Sequence, residues 1–123
     1  MSSMSFQELF LTPACQSLEL WGLLESVYHL CLAKELNLGG VGHSTLVPVP
    51  LIYKGYFLDK EYIIDVLVEK EIVVELKAVV ELLPVHEAQL ISYLKLADKR
   101  LGFLVNFNVP ILKNGFRRFV NNF

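Results

Sequence analysis

The sequence contains little cysteine. Cys15 and Cys31 are the only two among 123 residues, and their spacing is not that of a CxxC pair. Cys31 falls within a helical apolar pattern, so we expect a buried free thiol at this position. A reducing, cytoplasmic location is the compartment that fits this cysteine usage.

A membrane-spanning segment and a secretory signal are also missing from the sequence pattern. The longest uncharged stretch, Leu36 to Tyr53, holds three glycines and two prolines, which is too interrupted for the roughly 20 apolar residues of a spanning helix. The N-terminus begins Met-Ser-Ser-Met-Ser with no basic residue, and its first charge is Glu8. We therefore expect no membrane partner.

Basic charge is scarce overall, and the formal net charge is −2. Residues 1–94 hold 5 basic and 12 acidic side chains, whereas residues 95–123 hold 6 basic side chains and Asp98 as their one acid. This basic C-terminal quarter is typical of a surface that faces a phosphate backbone, and equally of a solvated segment that balances the rest. Both interpretations stay open.

The apolar share of 54% and the charged share of 20% predict one folded domain of residues 1–123 rather than a disordered chain. Hydrophobic periodicity predicts an α/β fold with a mixed sheet flanked by helices, in the order α-β-β-β-α-β. The predicted elements are a helix at Leu20–Leu36, strands at Thr45–Tyr53, Tyr62–Val68 and Ile72–Ala78, a helix from Pro84 to about Asp98, a strand at Leu101–Phe107 and a last short element at Phe116–Val120.

Local signals add detail to this order. Pro48 and Pro50 lie in the first predicted strand, which indicates an edge position because proline cannot donate to a central ladder. Lys54-Gly55 is a turn signal. Only Glu69-Lys70-Glu71 separate the next two strands, so we predict a tight hairpin between them.

Two acidic residues interrupt the apolar strands of this hairpin. Side chains alternate across a strand, so Ile63, Asp65 and Leu67 should share one face, and Glu75 should share a face with Lys77. If the hairpin is centred on Lys70, Asp65 lies directly opposite Glu75, with Cβ atoms within about 5.5 Å.

Two carboxylates at that distance repel one another, and a bound cation relieves the repulsion. Hard oxygen ligands favour Mg²⁺ or Mn²⁺, and the ammonium of Lys77 could orient a water or stabilise charge on a phosphate. The alternative is a structural ion pair between Lys77 and one of the carboxylates. Convergence of three charged residues favours the site.

Other polar residues lie on the predicted helices. Glu25 sits within the largely apolar first helix, where a solvated glutamate is the ordinary interpretation. In the second helix, His86, Gln89 and Tyr93 are spaced by three and four and line one face. Such a row could contact substrate or order metal-bound waters; alternatively, Tyr93 is core and the other two are solvated.

At these residues the sequence resembles a bacterial family named for a Gly-x-x-Glu-x-x-Tyr motif, placed in the PD-(D/E)XK nuclease superfamily near the RecB-like and Cas4-like nucleases. The resemblance covers Gly22 to about Asn121, and residues 1–20 diverge from the family pattern. The segments that carry it are Gly22-Leu-Leu-Glu25-Ser-Val-Tyr28, Tyr62-Ile-Ile-Asp65-Val-Leu-Val, Val74-Glu75-Leu-Lys77-Ala, Pro84-Val-His86-Glu-Ala-Gln89-Leu-Ile-Ser-Tyr93-Leu-Lys and Gly102-Phe-Leu-Val-Asn106-Phe-Asn108.

The resemblance implies a role for each matching residue. Asp65 and Glu75 would be metal-binding acids, and Lys77 the catalytic lysine. The backbone carbonyl of Leu76 would be a further ligand, and Glu25 would complete the metal shell directly or through water. His86, Gln89 and Tyr93 would be supporting residues, of which Gln89 and Tyr93 form a pair.

The expected function is therefore Mg²⁺-dependent hydrolysis of phosphodiester bonds in nucleic acid, with DNA as the expected partner. One alternative is a non-catalytic module on the same fold that binds nucleic acid or protein, since the chain is small and has no overall basic surface. The high apolar share also permits a homodimer, which would enlarge the footprint. A carboxylate-pair hydrolase acting on sugars is a third class, and it predicts activity in chelator.

Overall fold

The structure is a computed structural model, and it describes residues 25–109 and 112–121. Its elements are α1 (Glu25–Leu38), β1 (His43–Tyr53), β2 (Tyr56–Val68), β3 (Ile72–Lys77), α2 (Pro84–Leu96), β4 (Leu101–Asn106), a short 3₁₀ turn (Leu112–Gly115) and β5 (Phe116–Val120). The predicted order of helices and strands is confirmed, and the last short element is a fifth strand.

One mixed sheet contains all five strands, in the order β1-β2-β3-β4-β5. Every neighbouring pair is antiparallel except β3 and β4, which are parallel. A parallel connection requires a crossover, and α2 is that crossover between β3 and β4. The edge position predicted for β1 from its prolines is confirmed.

The helices cover opposite faces of the sheet. Leu32 and Leu36 of α1 pack in one apolar cluster, and Leu90 and Leu94 of α2 pack in the other. Both faces of β3 are covered by helices, so its first five residues are buried. Its sequence is accordingly almost continuously apolar. The strand residues of the α1 cluster include Val66, Val68, Ile72, Val74, Leu76, Phe103 and Val105, and those of the α2 cluster include Val49, Ile64, Val73 and Leu104.

The first helix differs from its predicted bounds at both ends. Within the described residues it begins at Glu25, and the predicted residues 20–24 lie outside the part of the chain that the structure describes. It ends at Leu38, two residues later than predicted. Gly40 follows with a φ of 69°, and the N–H of Val41 donates a 2.9 Å hydrogen bond to the carbonyl of Leu36, a glycine-based helix end of the predicted kind.

The first two strands form a long ribbon. Lys54 and Gly55 have φ values of 50° and 80°, as a two-residue type I′ hairpin turn requires. β2 begins at Tyr56, six residues before the predicted start at Tyr62. β3 pairs with β2 only between Val66 and Val68, so the outer part of the ribbon has no third strand beside it. We refer to Pro50–Glu61 as the arm.

α2 packs closely on β4 because residue 102 is a glycine, which has no side chain. A Cβ at Gly102 would lie 3.1 Å from side-chain carbons of both Leu90 and Leu94. Glycine therefore lets the crossover helix sit directly on the sheet. α2 itself ends at Leu96, two residues before the predicted end.

Two expectations about the compartment can be compared with the structure. Among the described helices, none is long and apolar enough to cross a membrane. Cys31 is a free thiol, as predicted, but it is only partly buried rather than fully buried.

Candidate functional site

The hairpin of β2 and β3 has the predicted register. Val66 pairs with Val74, Leu67 with Val73 and Val68 with Ile72. These pairs centre the hairpin on Lys70. The same register brings Asp65 opposite Glu75, one position beyond the last backbone pair.

At that position, hydrogen bonds from backbone N–H groups to the two carboxylates take the place of backbone-to-backbone hydrogen bonds between the strands. The backbone N–H of Asp65 donates a 3.2 Å hydrogen bond to Oε1 of Glu75, and the backbone N–H of Leu76 donates a 2.8 Å hydrogen bond to Oδ2 of Asp65. Each carboxylate therefore accepts a hydrogen bond from the opposite strand. The predicted convergence of the two acids is confirmed.

Strand alternation is interrupted at Asp65. Tyr62 and Ile64 pack in the α2 cluster, whereas Val66 and Val68 pack in the α1 cluster, although all four numbers are even. The register position opposite Asp65 is occupied by Leu46, whose φ of 52° is rare for a strand residue.

The expectation that Ile63 shares a face with Asp65 and Leu67 is therefore wrong. Leu67 packs in the α2 cluster, and so does Ile64, which leaves Ile63 on the other face and 40% exposed. Strict alternation assumes extended backbone throughout both strands, and the left-handed residue at Leu46 violates that assumption on the partner strand.

Glu75 is a buried acid in an unfavourable electrostatic setting. Its side chain is 4% exposed, and burial together with the negative charge of Asp65 raises its pKa from 4.5 to about 8. The hydrogen bond from the Asp65 backbone and the positive charge of Lys77 lower this pKa, but they compensate only in part. Burial and the charge of Asp65 therefore outweigh the contacts that favour ionised Glu75.

Lys77 is the last residue of β3, and its side chain is partly buried. Its ammonium is close enough to lower the pKa of Glu75, yet no carboxylate of the described residues forms a salt bridge with it. Its carbonyl accepts a 2.8 Å hydrogen bond from the N–H of Phe107, which fixes the end of β3 to the end of β4. Among the described residues, Lys77 therefore does not form the alternative structural ion pair with Asp65 or Glu75.

Gln89 and Tyr93 form a hydrogen-bonded pair on α2. Nε2 of Gln89 donates a 3.0 Å bond to the Tyr93 hydroxyl, and the Tyr93 ring packs against Tyr62 with centroids 4.8 Å apart. Burial first, and then the charges of Glu75 and Asp65, raise the pKa of Tyr93 to about 12. The phenol therefore lies near the acids and keeps its proton at neutral pH.

His86 has a different local role from that of its two helix neighbours. Its Nδ1 accepts a 2.9 Å hydrogen bond from the backbone N–H of Leu83, the residue before Pro84, so the ring helps to cap α2. This bond requires a ring whose Nδ1 is unprotonated. A contact of His86 with substrate or metal-bound water stays a prediction.

His29 is a neighbour of the site that sequence reasoning missed. Its Nε2 lies 3.6 Å from Oδ1 of Asp65, so α1 contacts this acid. The available signal was helical spacing, because His29 follows Glu25 by four residues and such residues share a helix face.

Asn106 is a second residue whose importance was missed. It is 4% exposed, its Oδ1 accepts hydrogen bonds from the N–H groups of Val79 (3.1 Å) and Asn108 (3.2 Å), and its Nδ2 donates to the Val79 carbonyl at 2.9 Å. Asn106 pairs with Lys77 in the parallel ladder. It therefore fastens the segment that follows the lysine.

The remaining predicted ligands are Glu25 and the carbonyl of Leu76. The Glu25 side chain lies outside what the structure describes, and the Leu76 carbonyl remains a predicted ligand. Within residues 25–109 and 112–121, no three His, Cys, Asp or Glu side chains are grouped so as to hold a metal ion. Asp65 and Glu75 alone would thus need further oxygen ligands.

A cavity elsewhere in the fold is separate from these residues. It has a volume of about 620 Å³ and lies where β3 and β4 begin, at the opposite end of these strands from Lys77. None of the predicted site residues lines it. Its lining residues are Lys70, Glu71, Ile72, Asp98, Lys99, Arg100 and Leu101.

Comparison with known proteins identifies the superfamily of the chain. The profile of the PD-(D/E)XK nuclease superfamily matches residues 18–119, which is most of the chain, and the protein therefore belongs to that superfamily. No curated protein and no solved structure matches the chain. The superfamily predicted from the sequence is confirmed, together with its small α/β fold.

Proposed function

We propose that this protein is a divalent-metal-dependent nuclease that hydrolyses phosphodiester bonds in DNA. The observation that carries the proposal is the pair formed by Asp65 and Glu75, which are held together by hydrogen bonds to each other's strands. The raised pKa of Glu75 supports it, because burial first and then the charge of Asp65 disfavour the ionised form of Glu75, and a bound cation would favour that form.

The donor chemistry fits Mg²⁺ or Mn²⁺. Asp65 and Glu75 supply carboxylate oxygens, and we propose that the Leu76 carbonyl and Glu25 supply further ligands, with water filling the remaining positions. Such an ion, when bound, polarises a phosphate and lowers the pKa of a bound water. The oxygen Oδ2 of Asp65 is already oriented by the Leu76 N–H, so the first acid is preorganised for binding.

The other residues of the site have roles that follow from their chemistry. Lys77 places an ammonium beside the acids, where it can orient the attacking water or stabilise charge that develops on the phosphate. Tyr93 remains a neutral hydrogen-bond donor at neutral pH, because its pKa is about 12. Gln89 orients that hydroxyl. His86 and His29 would position α2 and Asp65 respectively.

Within the superfamily, we propose that the chain belongs to the Gly-x-x-Glu-x-x-Tyr family and its RecB-like surroundings. The segment Gly22-Leu-Leu-Glu25-Ser-Val-Tyr28 supports this placement, and the Tyr28 ring stacks on Phe107 with centroids 4.4 Å apart. The free thiol of Cys31 is consistent with the cytoplasm. A second copy of the chain would enlarge a small DNA footprint, and light scattering of the purified protein tests that.

Two linked measurements test the proposed function. The first is cleavage of mixed single-stranded and duplex DNA with Mg²⁺, with Mn²⁺ and with chelator. The second is the melting temperature with and without Mn²⁺, for the wild type and for Asp65→Asn. A ligand that binds only the folded state stabilises it by about 2.7 kcal/mol at a concentration 100 times its Kd.

We expect cleavage only with metal, and a rise in melting temperature that Asp65→Asn removes. The matched control is Asp59→Asn, an exposed acid on the same strand, which should respond to Mn²⁺ like the wild type. Activity in chelator would contradict the proposal. Mn²⁺ binding without turnover on DNA or RNA would instead identify the non-catalytic module.

A further inference from the structure

The two oxygens of the Asp65 carboxylate have different neighbours. Oδ2 accepts the hydrogen bond from the backbone N–H of Leu76, whereas Oδ1 faces Nε2 of His29 on α1. The distance between Nε2 and Oδ1 is 3.6 Å, which is longer than the roughly 2.7–3.2 Å of an N–H···O hydrogen bond. A direct hydrogen bond therefore does not account for this contact.

The same distance fits two donor atoms that share one metal ion. In protein sites for small divalent ions, nitrogen and oxygen ligands lie about 2.0–2.2 Å from the ion. Two such ligands are therefore about 3.0 Å apart at a right angle and about 4.2 Å apart across the ion. The separation between His29 and Asp65 lies between these limits, so one ion can contact both atoms.

His29 and Asp65 are also more accessible than the second acid of the site. Their side chains are 21% and 19% exposed, whereas Glu75 is 4% exposed. Within residues 25–109 and 112–121, no three His, Cys, Asp or Glu side chains are grouped so as to hold an ion by themselves. The ion of the proposed function therefore needs donors besides Asp65 and Glu75, and His29 supplies one beside Asp65.

The position of His29 in α1 suits a metal ligand. His29 follows Glu25 by four residues, so the two positions share one face of the helix. Two ligands with this spacing can bind one ion, as two histidines do on the helices of zinc metalloproteases. Because Glu25 is itself a proposed ligand, α1 can supply two ligands rather than one.

We propose that His29 is a direct ligand, through Nε2, of the divalent ion that binds to Asp65. The inference rests on the proposed function for the presence of that ion, and it adds a metal preference. Mg²⁺ favours oxygen ligands, whereas imidazole nitrogen favours transition metals, whose affinity rises from Mn²⁺ to Ni²⁺. His29 therefore strengthens the binding of transition metals and contributes little to the binding of Mg²⁺.

Isothermal titration calorimetry of the metal-free protein measures the affinity for Mg²⁺, Mn²⁺ and Ni²⁺. We expect His29→Ala to weaken Ni²⁺ binding by about tenfold or more, Mn²⁺ binding less, and Mg²⁺ binding by less than about twofold. The matched control is His43→Ala, because Nδ1 of His43 lies 3.1 Å from the Val41 carbonyl oxygen and not at the acids. It should leave all three affinities unchanged, and melting temperatures confirm that both variants are folded.

Electron spin echo spectroscopy of bound Mn²⁺ is the second measurement, because it detects nitrogen bound directly to the ion. We expect a nitrogen coupling in the wild type and in His43→Ala, and its loss in His29→Ala. A contact that merely supports the fold would not produce this signal.

The outcomes separate the role of His29 from the nuclease activity. Bound Mn²⁺ without nitrogen coupling would overturn the ligand assignment, and so would an equal loss of Mg²⁺ and Ni²⁺ affinity in His29→Ala. Metal-dependent cleavage in either case would leave the proposed function standing. Nitrogen coupling that depends on His29, in a wild type that cleaves no nucleic acid, would uphold the ligand and refute the proposed function.

Discussion

The backbone N–H of Asp65 donates a hydrogen bond to the Glu75 carboxylate, at the point where the backbone ladder between β2 and β3 stops. The two acids therefore have a structural role as well as a proposed chemical one. Substitutions that retain their acceptor oxygens can separate the two roles, whereas substitutions to alanine cannot.

Lys77→Ala should abolish metal-dependent cleavage and leave the fold intact. Removal of one group that stabilises developing charge typically lowers kcat by about 10²–10³-fold. Lys77 is only partly buried, so circular dichroism and the melting temperature should change little. Lys70→Ala, at the exposed turn of the same hairpin, is the control and should cleave normally. Undiminished cleavage by Lys77→Ala would remove Lys77 from the mechanism.

Glu75→Gln should change how stability depends on pH in metal-free buffer. The folded pKa of Glu75, about 8, is above its ordinary value of 4.5, so the folded state binds more protons between these pH values. The contribution of Glu75 to the free energy of unfolding of the wild type should therefore be most favourable below about pH 4.5. It should decrease by a few kcal/mol as the pH rises towards 8.

The Gln variant keeps an acceptor for the Asp65 N–H and cannot ionise, so it should lack that fall and exceed the wild type in stability near pH 8. Urea denaturation from pH 5 to 8 measures this. Glu71→Gln, an exposed residue of the same hairpin, should retain the wild-type slope. Parallel curves for wild type and Glu75→Gln would contradict the raised pKa.

Asn106→Ala should destabilise the protein by about 1–3 kcal/mol or more, because the Val79 N–H and carbonyl would lose their partners next to the core. It should also lower kcat, since the segment after Lys77 would be released. Denaturant unfolding and cleavage rates measure the two effects. Lys34→Ala, an exposed helix substitution, should change stability by no more than about 0.5 kcal/mol.

Gly115→Ala should be more harmful than Gly102→Ala. A Cβ at Gly115 would clash with the backbone carbonyl oxygen of Asn106, whereas a Cβ at Gly102 would meet the flexible ends of Leu90 and Leu94. We expect a loss of about 1–3 kcal/mol for Gly102→Ala and a larger loss for Gly115→Ala. Melting temperatures give the order, and a reversed order would refute the contact at Asn106.

Much of the site could be predicted because the hairpin is short and strongly patterned. A three-residue connection left essentially one register, and that register brought Asp65 opposite Glu75. The helix that carries Gln89 and Tyr93 was likewise marked by Pro84 and by its period. In such segments, local signals and the tertiary arrangement agree.

The missed features depend on contacts between distant segments. His29 reaches Asp65 because α1 packs on the sheet; its spacing of four from Glu25 indicates a shared helix face but does not give the distance to β2. The side chains of β2 change face at Asp65, which lies opposite a left-handed backbone conformation at Leu46. Leucine is not a residue type from which that conformation can be predicted. The early start of β2 was not predicted, because the charged residues Asp59-Lys60-Glu61 interrupt the apolar pattern. Such charges suit the exposed arm in which these residues lie.

The stack of Tyr28 on Phe107 has a mechanical consequence. Its rings are nearly parallel, at 8°, and the N–H of Phe107 holds the Lys77 carbonyl. The helix that contacts Asp65 and the strand that ends in Lys77 are thus joined through Phe107, by one ring stack and one backbone hydrogen bond, neither of which involves an ionised group. We therefore expect a displacement of α1 to change the spacing between Asp65 and Lys77, the two ends of the proposed metal site, even when no cation is bound.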